Sequence, residues 1–173
     1  MQSTTRAILG AGLLFAIAYG TQFAAGRVHG ESDTRAVQLA QSNPADVIIQ
    51  RQGLMKGQAD HATAIDDFIE SGKGTAEDVA KRAADLQRRS AEIVALFPAG
   101  TGIDDNVGKT AAKMDIWAKP DEFKAAAARL GDLAGALWKA AAGGDKQQIA
   151  DAFAKLGKEG CGGCHTTFRQ KQE

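Results

Sequence analysis

The sequence predicts an all-α protein, an antiparallel bundle of four helices. Aromatic residues make up only 6% of the chain, and no segment shows the alternation of valine, isoleucine and threonine that is typical of strands. Alanine runs are frequent, and apolar residues recur at helical spacing in four segments. Proline, glycine and capping residues separate these segments with mostly short links, which favour antiparallel neighbours.

The N-terminal segment, residues 1–26, has the features of an export signal. Arg6 is followed by an apolar, uncharged stretch over residues 7–26, and small residues close that stretch. Because the stretch is about long enough to span a bilayer, the sequence allows either a cleaved signal peptide or a retained membrane anchor. Residues 27–43 are polar and would link it to a four-helix bundle over residues 44–173. We expect a periplasmic protein, either soluble or tethered to the inner membrane through residues 7–26.

The first two helices are predicted from their caps and their apolar faces. Asn43 and Pro44 supply an N-cap and a proline at the first helical position, and the first helix stops by Gly72. Thr75, followed by acidic residues, begins the second helix, and Pro98 stops it. The apolar faces are Ile48, Met55, Ala62, Ile65 and Ile69 in the first helix, and Val79, Ala83, Leu86, Ile93 and Phe97 in the second.

A connection of about twenty residues, from Pro98 to Pro120, precedes the third helix and is long enough to carry local helix or function. Within it, Met114, Ile116 and Trp117 are predicted to pack back onto the core. The third helix runs over residues 120–143 and the fourth starts at Asp145. Their apolar faces are Phe123, Ala127, Leu130, Ala134, Leu137 and Ala141, then Ile149, Phe153, Leu156 and Phe168.

The balance of charged residues argues against a nucleic-acid partner. The chain has 21 lysine and arginine residues against 21 aspartate and glutamate residues. No global field therefore attracts nucleic acid, and any steering must come from local patches. We expect no nucleic-acid partner.

A C-x-x-C-H motif over residues 161–165 is the pattern that attaches a c-type haem. The thiols of Cys161 and Cys164 are spaced so that each can reach one vinyl group and form a thioether, and His165 can then ligate the iron. A thioredoxin-like motif would need a βαβ context, and a zinc site would need a second ligand pair; neither is found. The sequence therefore predicts one covalently bound haem c, held by Cys161, Cys164 and His165.

This motif on the last of four helices, together with the RQGLMK segment of residues 51–56 on the first, resembles the cytochrome c′ family. The resemblance covers roughly residues 43–171 and implies a left-handed four-helix bundle that is often dimeric. The family has two branches. In the low-spin branch a first-helix methionine ligates the iron, as suits an electron carrier. In the high-spin branch an apolar residue closes that side, and the five-coordinate iron can take NO or CO.

The segment around Met55 resembles the low-spin pattern, as do the segments LFP at 96–98 and IW at 116–117, so Met55 is the expected second metal ligand. High-spin members can also carry the RQGLM segment with the methionine only packed over the iron, and helical spacing does not separate the two roles. Arg51, one turn before Met55, is expected to bind a haem propionate through its planar donors. The alternative for Arg51 is an exposed surface arginine.

The sequence and the resemblance together imply a monohaem electron carrier, not an enzyme, with His165 and Met55 as axial ligands. The alternative is a five-coordinate protein that binds NO or CO. Redox proteins are the expected partners, and small residues on the second helix also permit a homodimer. Aromatic candidates for the haem pocket are Trp117, Phe123, Trp138 and Phe168, and the basic residues near the motif are Lys155, Lys158, Arg169 and Lys171. These basic residues could steer an acidic partner or simply form a solvated face.

Overall fold

A computed structural model describes residues 43–171. Its helices are α1 Pro44–Ser71, α2 Ala76–Ser90, α3 Asp115–Ala118, α4 Pro120–Gly143, α5 Lys146–Lys155 and α6 Gly163–Phe168, with a π-helical segment Leu156–Gly162 joining the last two. Together α1, α2, α4 and the continuous run from α5 to α6 form a four-helix bundle, which confirms the predicted fold class. The predicted export segment, residues 1–26, and nearly all of the predicted linker lie outside the described residues. Within the described range, no helix is both long and apolar enough to cross a membrane.

Local capping chemistry explains where the long helices begin and end. The side chain of Asn43 accepts a hydrogen bond from the backbone N–H of Ala45, and Thr75 forms a reciprocal capping box at the start of α2. Asp145 accepts from two backbone N–H groups at the start of α5. Gly144 closes α4 with a φ of 76°, a left-handed conformation that glycine adopts without strain. The predicted helix starts are therefore confirmed.

The end of α2 differs from the prediction. The helix stops at Ser90 instead of continuing to Pro98, and a turn and a short 3-10 helix, Val94–Leu96, follow it. The Ser90 hydroxyl donates to the carbonyl of Gln87, and the next backbone bonds span three residues. These bonds tighten the chain and end the α-helical repeat. Leu96 nevertheless stays buried, so the apolar pattern predicts the burial of this segment although the segment is not α-helical.

The long connection carries the local helix that its length suggested. A 3-10 turn, Ile103–Asp105, precedes α3, and Ile116 on α3 is only 4% exposed. Trp117 is half-buried, and its indole Nε1 donates to the carbonyl of Phe97 at 3.0 Å. Met114 is the exception, because it is 39% exposed and lies over Gly102 on the surface.

The core is built from one apolar stripe per helix. Every residue predicted for the face of α4 is buried, from Phe123 to Ala141. Gly131 and Gly135 let α4 approach α2 closely, since a Cβ at Gly131 would lie 2.5 Å from the hydroxyl of Ser90. The α2–α4 contact is the most extensive in the bundle. The site lies on the other side of the bundle, between α1 and α6.

Leu137 on α4 has no exposed surface, so Leu137→Ala is expected to lower the free energy of unfolding by about 2–5 kcal/mol. Urea unfolding followed by circular dichroism measures this change. Lys139→Ala, at an exposed position on the same helix, is the control and should change stability by less than about 0.5 kcal/mol. Equal losses in the two variants would contradict the assignment of Leu137 to the core.

Candidate functional site

The predicted site residues converge on one cavity of about 450 Å³. Helix α1 contributes Arg51 and Met55, and α6 contributes Cys164 and His165. Cys161 lies one turn earlier and is exposed. The other lining residues are Gln52, Lys56, Ala59, Phe97, Thr110, Ala111, Ala112, Ile116, Phe123, Phe168 and Arg169. Four of the five residues predicted from the sequence thus share a single cavity.

The size and chemistry of the cavity fit a haem. Its volume lies in the range of ordinary cofactor sites, and most of its wall is apolar or aromatic, as a porphyrin requires. Phe123 stands edge-on to Phe97 and to Phe168, with ring centroids 4.9 and 5.2 Å away. Two thiols, neither in a disulfide, and one imidazole lie together on the C-terminal helix. These residues are the donor set that covalent haem attachment needs.

The helical run from α5 to α6, which carries the C-x-x-C-H motif and is here called the attachment helix, is not a regular α-helix. Its π-helical segment, Leu156–Gly162, leads directly into the motif, and such wide turns are often found at functional sites. Gly160 lies against α4, where a Cβ would come 3.1 Å from Leu130. A Cβ at Gly162 would lie 3.2 Å from the carbonyl oxygen of Gly157. The glycines therefore permit both the wide turn and the close packing that fix the motif beside the cavity.

The protonation states suit the predicted roles. Burial lowers the pKa of His165, and the positive charge of Arg169 lowers it further, so the imidazole is neutral at pH 7 and has a nitrogen free to ligate a metal. Burial raises the pKa of the Cys164 thiol to about 11, with a further contribution from Cys161. Before attachment this thiol is therefore protonated at neutral pH.

Arg51 is buried, and the exposed-arginine alternative is wrong. Its side chain is 3% exposed. It donates to the Thr101 hydroxyl at 2.9 Å, to the Thr101 carbonyl, and to the Thr110 hydroxyl at 2.7 Å. Its guanidinium lies 4.7 Å from the ring centroid of Phe97. Burial lowers the pKa of Arg51 to about 10, which leaves it charged at neutral pH. Arg51 thus fastens the long connection to α1, and its binding to a propionate stays a prediction.

Met55 is half-buried and packs against the hydrophobic core. It reaches the cavity from α1, while His165 reaches it from α6. This position is compatible with both predicted roles, an iron ligand or an apolar cover over an open iron.

The aromatic candidates divide into two groups. Phe123 and Phe168 line the cavity, whereas Trp117 and Trp138 are outside its lining, and Trp138 is 44% exposed. Phe97 also lines the cavity, although its sequence pattern placed it only on the apolar face of the second helix; the residue follows α2 in an irregular segment. The strip of residues 110–112 was not predicted from the sequence, because such loop segments carry no periodic signal.

The chain was compared with known protein families and solved structures. The family model described as Cytochrome C′ matches residues 46–169. A cytochrome c′ of Pararhodospirillum photometricum is 36% identical over 129 residues, which make up 75% of this chain and 100% of the relative.

Two solved structures illustrate the similarity of fold. A nitric oxide complex of a mutant cytochrome c′ from Alcaligenes xylosoxidans superposes with a TM-score of 0.65 at 25% identity, covering 75% of this chain and 98% of its own. A cytochrome c′ with an unusual ligand-controlled dimer dissociation superposes with a TM-score of 0.67 over the same shares of the two chains, 75% and 98%. At 23% identity, this second similarity shows the fold alone.

Proposed function

This chain belongs to the cytochrome c′ family, and from that premise we propose that it is an exported haem c protein that binds a diatomic gas, NO or CO. In this proposal Cys161 and Cys164 carry the thioether links, and His165 ligates the iron from one side. The bound haem supplies an iron centre that can take a gas molecule and exchange one electron. The observation that carries the proposal is the shared cavity, with His165 at the attachment helix and the apolar side chain of Met55 on α1.

The comparisons favour the gas-binding alternative over the methionine-ligated branch expected from the sequence. The relative from P. photometricum, matched over its full length, is described as a cytochrome c′. The nitric oxide complex among the similar structures also belongs to a cytochrome c′. The narrower expectation of a low-spin, Met55-ligated protein has no such support. We therefore assign Met55 the role of a cover.

The cavity wall supports this role physically. Methionine is unbranched and turns about three bonds, so its side chain can fill the space and move aside at little cost. The edge-to-face contact between Phe97 and Phe123 holds the neighbouring wall in place. An apolar wall admits a small neutral molecule while it disfavours water and anions, whose polar groups would lose hydrogen bonds.

A methionine-ligated electron carrier is the second candidate, favoured by the fact that Met55 and His165 line the same cavity. In either case the role is binding or electron exchange, without bond-making chemistry on a substrate. Residues 1–26 support export to the periplasm, because they combine a basic start with an apolar stretch.

Substitutions at Met55 test the proposal through gas-binding kinetics. We expect Met55→Leu to keep a CO-binding ferrous protein, and Met55→Ala to raise the CO association rate constant about tenfold, equivalent to about 1.4 kcal/mol of barrier. Flash photolysis of the CO complex measures both constants. Met114→Ala, at an exposed methionine outside the cavity lining, is the control and should leave the rate unchanged. A native protein that ignores CO, while Met55→Leu and Met55→Ala both bind it, would show that Met55 ligates the iron.

A further inference from the structure

Four basic residues lie at or next to the wall of the cavity. Arg169 lines the cavity. Three lysines lie in, or directly next to, backbone segments that are hydrogen-bonded to residues of the wall. The carbonyl of Lys109 accepts from the side chain of Gln52 at 2.8 Å, and the N–H of Lys113 donates to the carbonyl of Phe168 at 3.0 Å. Lys171 directly follows Gln170, whose N–H donates to the carbonyl of Ala111. Gln52, Phe168 and Ala111 all line the cavity, so the segments that carry these basic residues border it, and we call the four residues the basic rim: Lys109, Lys113, Arg169 and Lys171.

The rim is not neutralised by neighbouring carboxylates. Some other exposed lysines of the bundle form ion pairs, as Lys81 does with Glu77 at 2.8 Å and Lys56 with Asp60 at 3.1 Å. None of the four rim residues has a carboxylate within ion-pair distance among residues 43–171. Lys109, Arg169 and Lys171 are exposed, and Lys113 is partly exposed. The rim is therefore a local source of positive potential in a chain whose formal net charge is zero.

A haem in the cavity would reduce this charge without cancelling it. A haem carries two propionates, and even if both reached the mouth, they would neutralise two of the four rim cations. The remaining charge would surround the edge through which an electron enters or leaves. At physiological ionic strength such a patch acts over about 8 Å, which is enough to orient a partner at contact distance.

We propose that the basic rim is the docking surface for an acidic electron-transfer protein. This proposal rests on the proposed function only in that it needs a haem in the cavity. The step is a one-electron exchange: the reduced centre of the partner is oxidised by one electron, and the ferric haem becomes ferrous. No bond forms or breaks. The rim brings the acidic face of the partner against the cavity mouth, which raises the rate of productive encounter.

The experiment compares two charge-reversal variants of the loaded protein. The rim variant is Lys109→Glu with Lys171→Glu; the matched control is Lys139→Glu with Lys146→Glu, two exposed lysines on α4 and α5 with the same change of net charge. Stopped-flow spectroscopy measures the reduction of each ferric protein by a reduced acidic [2Fe–2S] ferredoxin. At low ionic strength we expect the rate constant for reduction to be about tenfold lower, or more, in the rim variant than in the native protein, and at high salt we expect little difference. In the control the rate constant should fall by at most about twofold.

Binding without electron transfer gives a second readout. In isothermal titration calorimetry, oxidised ferredoxin should bind the native protein and the control more tightly than the rim variant. Equal rate losses in the two variants, or none in the rim variant, would overturn the proposal. A rim variant that keeps its ferredoxin rate but no longer binds phosphatidylglycerol vesicles would also overturn it, since the surface would then recognise lipid. CO binding, measured separately, shows whether the proposed gas-binding function fails independently of docking.

Discussion

Replacing both Cys161 and Cys164 by alanine is expected to abolish covalent haem attachment, so that the denatured protein has the mass of the bare polypeptide. The reason is that these are the chain's two cysteines, and both lie in the attachment motif beside the cavity. Mass spectrometry after acid denaturation measures the result, because a haem held only by iron ligation dissociates under those conditions. Thr166→Ala, just after the motif, is the control and should keep the haem mass. Haem mass on the double-alanine variant would contradict the assignment.

Arg51→Ala is expected to lower the free energy of unfolding by about 3–5 kcal/mol, since it removes three hydrogen bonds made by a charged group. The substitution also leaves the groups of Thr101, which is 1% exposed, without their donor. Urea unfolding measures the loss. Arg51→Lys should recover only part of it, because an ammonium group cannot reproduce the planar set of donors.

The matched control for Arg51 is Arg88→Ala on α2. Arg88 is exposed and forms an ion pair with Asp85 at 2.8 Å. Because exposed ion pairs contribute little, Arg88→Ala should lower the free energy of unfolding far less than Arg51→Ala does. A loss at Arg51 no larger than the loss at Arg88 would show that the buried cluster contributes little to stability.

The bundle was predictable because its determinants are local. Pro120 and Asp145 mark helix starts through capping preferences that act within one turn, and the stripe from Phe123 to Ala141 follows the helical repeat. The early end of α2 was not predictable, because Pro98 is an obvious stop and the hydroxyl of Ser90 is not. The π-helical segment likewise follows from packing against α4, which no periodicity reveals.

The site shows the same division between local and distant determinants. Residues 161–165 form a contiguous motif with one dominant interpretation, so the sequence alone predicts a haem site at Cys161, Cys164 and His165, and Cys164 and His165 line the cavity. The partners of Arg51 could not be predicted, because Thr101 and Thr110 lie in the long irregular connection and meet α1 only after folding. Helical spacing places Met55 on the right face of α1. It does not separate a sulfur bound to iron from one packed beside it.

The most direct test of the central claim is the optical spectrum of the dithionite-reduced protein before and after addition of CO. We expect a broad high-spin spectrum that changes on addition of CO, since His165 would hold the iron from one side and Met55 would only cover the other. A sharp, split low-spin spectrum that ignores CO would contradict it. That result would make Met55 an axial ligand and the protein an electron carrier.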